Sequence, residues 1–277
     1  MYRSFDPALE LSPFVECYWS WQVDPDDHAL DDILPDAAPE FIVHVGSLPF
    51  VQSESGAWRQ QDRAFLYCAA HKALRLSIRE PLMLFSIRFR PWGVSRFSHR
   101  SMSDMLDRPV PPFESLNELG DELVKGLSSA GSDSSRVELA NRLLVSELQS
   151  CSRIEPRLKL LLDAVNGGRC SSAEMARKLS VSDRSFSRLW KDVVGIQPRK
   201  FVQLMRFHTA LEMIDGGGKL KQVAADCGYS DQAHMARQIK AITGLPPSSL
   251  RRRLGNSVYR DLYASRPSAP WRRRRNQ

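Results

Sequence analysis

The 277-residue sequence predicts an α+β chain, with a β-rich domain first and an all-α domain second. Three observations lead there. Between residues 40 and 90, short runs rich in β-branched and aromatic residues succeed one another, separated by Pro and Gly. From Glu155 onward the apolar residues recur at helical spacing, broken only by short turns. The charge changes sign at the same place: residues 1–152 carry a net −8 and residues 153–277 a net +15. The expected organisation is therefore a β-rich domain at 1–152 that ends in two helices, a helical domain at 153–255, and a basic, disordered tail at 256–277.

Four segments read as strands: 40–46, 63–70, 73–79 and 82–90. In the last, Leu82, Leu84, Ser86, Arg88 and Arg90 share one face, and Met83, Phe85, Ile87 and Phe89 the other. Strands of this kind pack as a sandwich or half-barrel. Residues 113–129 and 136–150 then place leucines at helical spacing, predicting two amphipathic helices that either cover the β domain or form a dimer seam.

Composition narrows the function classes. No apolar run approaches the roughly 18 residues of a membrane span. The opening MYRSFDPALE lacks a basic stretch leading into an apolar core, so no signal peptide is expected and a cytoplasmic location is. Cys17, Cys68, Cys151, Cys170 and Cys227 are odd in number and widely spaced, which favours buried thiols over a disulfide framework or a zinc site. His28, His44, His71 and His99 form no H-x-H cluster, and there is no G-x-S-x-G, P-loop or G-x-G-x-x-G motif. Neither a metal, a cofactor nor a catalytic activity is expected. A basic half joined to an acidic half suggests that only the C-terminal half meets a polyanion.

An internal repeat carries the functional reading. Residues 173–201 and 221–250 match at Ala176/Ala224, Val181/Tyr229 and Ser182/Ser230, an offset of 48, and then at Phe186/Met235, Arg188/Arg237, Trp190/Ile239, Lys191/Lys240, Gly195/Gly244 and Pro198/Pro247, an offset of 49. Each copy has a short helix (Met175, Ala176 and Leu179; Val223, Ala224 and Cys227), a tight turn, and a second helix. Ser182 and Ser230 are the expected N-caps, Gly195 and Gly244 the C-terminal stops, and Pro198 and Pro247 the first residues of the helices that follow. Phe186, Leu189, Trp190 and Val193 form the inward stripe of the first copy, and Met235, Ile239 and Ile242 that of the second. Two helices in register with Arg, Gln and Ser outward point to double-stranded DNA, because such side chains read base edges in a major groove. Residues 198–214 read as one continuous helix that would hold the two readers on one face of the duplex.

Residues from about 155 to 254 resemble the DNA-binding domain of the AraC/XylS family, in which a long helix joins two helix-turn-helix units. The resemblance rests on Gly228-Tyr229-Ser230-Asp231, Met235, Ile239-Lys240, Gly244 and Pro247, and on Arg206 to Leu211 in the linker helix. It implies base reading by Arg184, Ser187, Arg188, Gln232 and Arg237, with Ala233 offering little to read with. Ser182, Lys191, Lys200, Ser230 and Lys240 are the expected phosphate contacts. Segments 13–21, 33–46 and 87–93 are similar to a domain of undefined function found before such DNA-binding domains, which implies a cupin-like, β-rich sensor or dimerisation module. Trp19, Trp21, His44, Phe89 and Trp92 are the candidate walls of an effector pocket. The expectation is a transcription regulator with a small-molecule effector, with RNA polymerase and a second copy of the chain as further candidate partners. The alternative is a DNA-binding adaptor whose N-terminal domain only dimerises or binds a protein. A DNA-modifying enzyme is a third class, disfavoured by the missing motifs.

Overall fold

The computed structural model describes residues 1–25, 30–36, 38–53, 55–68, 71, 73–150, 177 and 180–254. The helix expected around Met175, Ala176 and Leu179, the boundary at 152/153 and the tail at 256–277 lie outside these residues.

Among the described residues, nine antiparallel strands form two sheets: β1 (Tyr2–Phe5), β2 (Val15–Val23), β3 (Leu30–Ile33), β4 (Glu40–His44), β5 (Phe50–Gln52), β6 (Trp58–Gln60), β7 (Ala64–Tyr67), β8 (Leu74–Ser77) and β9 (Leu82–Phe89). The larger sheet runs β1-β2-β9-β4-β7 and the smaller β3-β8-β5-β6. The alternation read in 82–90 matches the layering. Phe85, Ile87 and Phe89 are fully buried in the hydrophobic core, while Leu82 and Leu84 turn toward the space between the sheets. The interior strand β2 has both faces covered, so VECYWSWQV carries apolar side chains on each.

Three helices close the outer face of the larger sheet: α1 (Pro112–Leu116), α2 (Glu118–Ser129) and α3 (Asp133–Ser150). The single helix expected at 113–129 is interrupted at Asn117, whose φ of 53° is left-handed. Gly120 then lies against α1, where a Cβ would meet the Pro112 carbonyl oxygen at 2.2 Å. The helices pack within the chain: Tyr18 Oη donates to Asn141 Oδ1 at 2.8 Å, and Ser20 Oγ to Asp133 Oδ2 at 2.8 Å. Arg136, itself buried, donates to the Leu127 and Ala130 carbonyls and so ties α3 to the end of α2.

The C-terminal domain contains α4 (Asp183–Val194), α5 (Pro198–Asp215), α6 (Leu220–Asp226), α7 (Gln232–Thr243) and α8 (Pro247–Leu254). Its core holds the expected stripes, with Phe186, Trp190, Met235 and Ile239 all essentially inaccessible. Trp190 packs against Phe201 of α5, ring centroids 5.4 Å apart and nearly perpendicular. Among the described residues, no helix is long and apolar enough to cross a membrane.

Candidate nucleic-acid interface and ligand cavity

The two candidate readers are built alike. Helix α4 starts at Ser182, whose hydroxyl accepts from the Ser185 amide, and stops at Gly195 with φ 90°. Helix α7 starts at Asp231, whose carboxylate accepts from the His234 amide at 2.6 Å, and stops at Gly244 with φ 73°. The expected cap Ser230 is therefore corrected to Asp231. The reason lies in the repeat itself: the inserted residue falls before the cap, so Asp231 is the partner of Ser182 at offset 49. Ser230 instead lies 3.0 Å from His234 Nδ1 through its hydroxyl. The hydrogen bond donated by the His234 backbone N–H, with Arg237 nearby, holds the Asp231 carboxyl below its ordinary pKa. The preceding turns also correspond, since Ser180 at φ 53° takes the left-handed place that Gly228 fills at φ 74°.

Arg184, Arg188, Gln232 and Arg237 are exposed and Ser187 is half-exposed. Ser182, Lys191, Ser230 and Lys240 are exposed and Lys200 half-exposed. Among the described residues, neither Arg188 nor Arg237 forms an ion pair with the acidic residues beside it. Both heads are available to a partner. Each reader has 12 residues. The 18-residue α5 between them spans about 27 Å at 1.5 Å per residue.

A second site lies in the N-terminal domain. Register places Trp19, Ser86, Ile42 and Phe65 in one row across the larger sheet, and Trp21, Leu84 and His44 in the next. These rows face the smaller sheet, from which Leu74 and Leu76 approach, and together they bound about 690 Å³ of space, part of it open to solvent. Of the five residues expected to line a pocket, Trp19, Trp21 and His44 do so. Phe89 and Trp92 do not. Phe89 follows the odd-numbered side of β9 and packs on Phe97, centroids 5.8 Å apart. Trp92 sits in the turn after β9, its indole N–H donating to the Pro13 carbonyl at 2.9 Å.

Sequence reasoning missed much of the polar lining. Glu40 shares the face of His44 on β4, a two-residue alternation that could have flagged it. Asp36, Gln61 and Tyr67 carry no such signal. Asp36 and Glu40 are held by Arg88, which is 5% exposed. Its Nη2 donates to Asp36 Oδ2 at 2.6 Å, Nη1 to Glu40 Oε1 at 2.5 Å and Nε to Glu16 Oε2 at 3.1 Å. A guanidinium fork directed at three carboxylates fixes β2, β4, β9 and the 34–36 segment as one unit. His44 Nε2 lies 3.2 Å from Gln61 Oε1. Burial lowers the His44 pKa to about 4, against the raising effect of that hydrogen bond and aided by the Arg63 charge, so the imidazole is neutral at pH 7. Among the described residues, no three His, Cys, Asp or Glu side chains come together as a metal site. Cys17, Cys68 and Cys227 are buried and unbridged.

The cavity and the readers are physically joined. Leu34 and Asp36 line the cavity, and the carbonyl of Pro35 between them accepts from His208 Nε2 on α5 at 2.9 Å, both residues being buried. The end of α4 also rests on the N-terminal domain, where a Cβ on Gly195 would meet Leu106 Cδ2 at 2.8 Å and the Met102 carbonyl oxygen at 3.0 Å.

Residues 175–253 match the family described as helix-turn-helix domain, and residues 3–111 match a domain of unknown function, DUF6597. The C-terminal part of the chain thus carries a helix-turn-helix domain. The HTH-type transcriptional regulator ArgR of Pseudomonas aeruginosa is 24% identical to this chain over 152 residues, which is 54% of this chain and 45% of that protein. The chain thus spans about half the length of the curated relative it matches. ToxT from Vibrio cholerae is 10% identical over 85% of this chain and 97% of its own, with a TM-score of 0.44. An AraC-type regulator from Chromobacterium violaceum is 22% identical over 36% of this chain and 92% of its own, with a TM-score of 0.31.

Proposed function

We propose that this chain is an AraC-type, sequence-specific, DNA-binding transcription regulator whose response is set by a small molecule held in the N-terminal cavity. The observation that carries the DNA reading is the pair of equal-length helices, each with an exposed arginine at the same register, joined by one continuous helix. In this reading Arg184, Ser187, Arg188, Gln232 and Arg237 face base edges. Ser182, Lys191, Lys200, Ser230 and Lys240 face phosphates. Arginine forks onto guanine O6 and N7, whereas lysine contributes a mobile point charge. Regulation would follow through contact with RNA polymerase or through its exclusion from the bound site.

The bond from His208 to Pro35 supports effector control over an adaptor role, because it connects a cavity wall directly to the helix that spaces the two readers. An occupant that displaces the 34–36 segment would be felt at α5.

Selection of duplexes from a random pool by the full chain tests the DNA reading. The bound pool should converge on two short motifs about one helical turn apart. A pool that never departs from random composition contradicts it. For the route of control, His208→Leu should bind DNA with an affinity that no longer changes when the cavity is filled. A response equal to that of the unaltered chain would contradict the route.

A further inference from the structure

The cavity walls also constrain what the effector is, on the reading that the cavity is the effector site. Among the described residues, Trp19 Nε1 and His44 Nδ1, both on the inner face of the larger sheet, have no hydrogen-bond partner. Their residues are 3% and 2% exposed, and both line the cavity. A buried polar group without a partner is costly, which makes each a candidate contact for an occupant. The indole N–H can only donate. With Gln61 Oε1 accepting from His44 Nε2, the neutral imidazole offers Nδ1 as a lone-pair acceptor. Beside the polar groups of Gln61 and Tyr67, these two atoms thus add one donor and one acceptor without a partner to a wall made mostly of Trp, Phe, Leu and Ile.

The charge around them is unfavourable to an anion. None of the described lining residues is Lys or Arg, and two of them, Asp36 and Glu40, are acids directed at Arg88. Burial keeps His44 uncharged at neutral pH, so it offers no cation either. A carboxylate entering this space would lose its hydration without gaining a counter-charge.

We propose that the cavity takes an uncharged, largely apolar ring compound bearing a hydroxyl group, whose oxygen accepts from Trp19 Nε1 and whose O–H donates to His44 Nδ1. A hydroxyl serves both contacts, whether through one group or through two on the same ring system. An ether satisfies only Trp19, and a carboxylate satisfies neither without a charge penalty.

Titration of the full chain with 2-naphthol, 2-methoxynaphthalene and 2-naphthoate, followed by tryptophan fluorescence and calorimetry, tests this. Expected is tightest binding by 2-naphthol, binding roughly two- to tenfold weaker by the ether, and binding at least about tenfold weaker by the carboxylate. In His44→Leu the naphthol-to-ether ratio should fall to about one. In Trp19→Phe it should persist while both dissociation constants rise. Ratios taken within each variant cancel any general loss of affinity. Binding of 2-naphthoate as tight as that of 2-naphthol, or an unchanged ratio in His44→Leu, overturns the chemical class and leaves the effector site standing. No binding by any of the three overturns the effector site as well.

Discussion

His44 should make the stability of the N-terminal domain depend on pH in a window where an ordinary histidine would not. Its folded pKa is lowered to about 4, chiefly by burial, while the unfolded value is about 6.5. Between these values the unfolded chain binds the proton more readily, so stability falls as pH falls. Linkage gives a loss of about 2 kcal/mol by pH 5 and about 3 kcal/mol by pH 4, relative to alkaline pH. The assay is urea unfolding of the unaltered chain and of His44→Leu at pH 7, 5 and 4. The variant is expected to lose less stability than the parent over this range by about those amounts. A histidine ring resonance titrating near pH 4, absent from the variant, should accompany the effect. Parallel pH profiles for the two chains, or a His44 resonance titrating near 6.5, would refute the reasoning that the imidazole is buried and neutral.

Three further substitutions test the interface and the charge assignments. Gly195→Ala and Gly244→Ala each force a side chain into the left-handed region, at about 1–2 kcal/mol. Gly195→Ala should cost about 1–3 kcal/mol more because its Cβ meets Leu106 and Met102, whereas nothing lies within 4 Å at Gly244; equal unfolding midpoints for the two would argue against α4 resting on the N-terminal domain. Lys191→Ala should weaken specific and random DNA alike and flatten the log–log salt dependence by about one, as measured by titration at several salt concentrations.

How much was legible beforehand follows from the kind of interaction involved. Periodicity exposes elements that have one wet face and one dry face. Helix α4 is of that kind, and Phe186, Trp190 and Val193 of its expected inward stripe are buried; strand β9 is covered on both faces, and its alternation shows because one face carries Ser86 and Arg88. Strand β2 is dry on both faces, so its sequence shows no alternation. Strands β5 and β6 have three residues each, too short for a period. The break at Asn117 was hidden because the apolar spacing continues across it. The repeat located Gly195 and Gly244, while the cap at Asp231 depended on where one inserted residue fell. Trp19, Trp21 and His44 were identified as pocket residues by type. Phe89 and Trp92 were misplaced for the same reason, since an aromatic ring suits a core as well as a cavity. The Arg88 cluster and the His208 contact join residues far apart in the chain, and no local pattern records such pairings. The latter spans 173 positions.

The most direct test of the DNA-reading claim is the ratio of affinities for the selected site and for random duplex, measured on the full chain carrying Arg188→Ala or Arg237→Ala. Each arginine placed on a guanine contributes about 1–3 kcal/mol of discrimination, so each substitution should lower that ratio roughly five- to 150-fold and relax preference at one or two base pairs. An unchanged ratio in both variants would contradict the account, because base reading would then not reside at the matched arginines of α4 and α7.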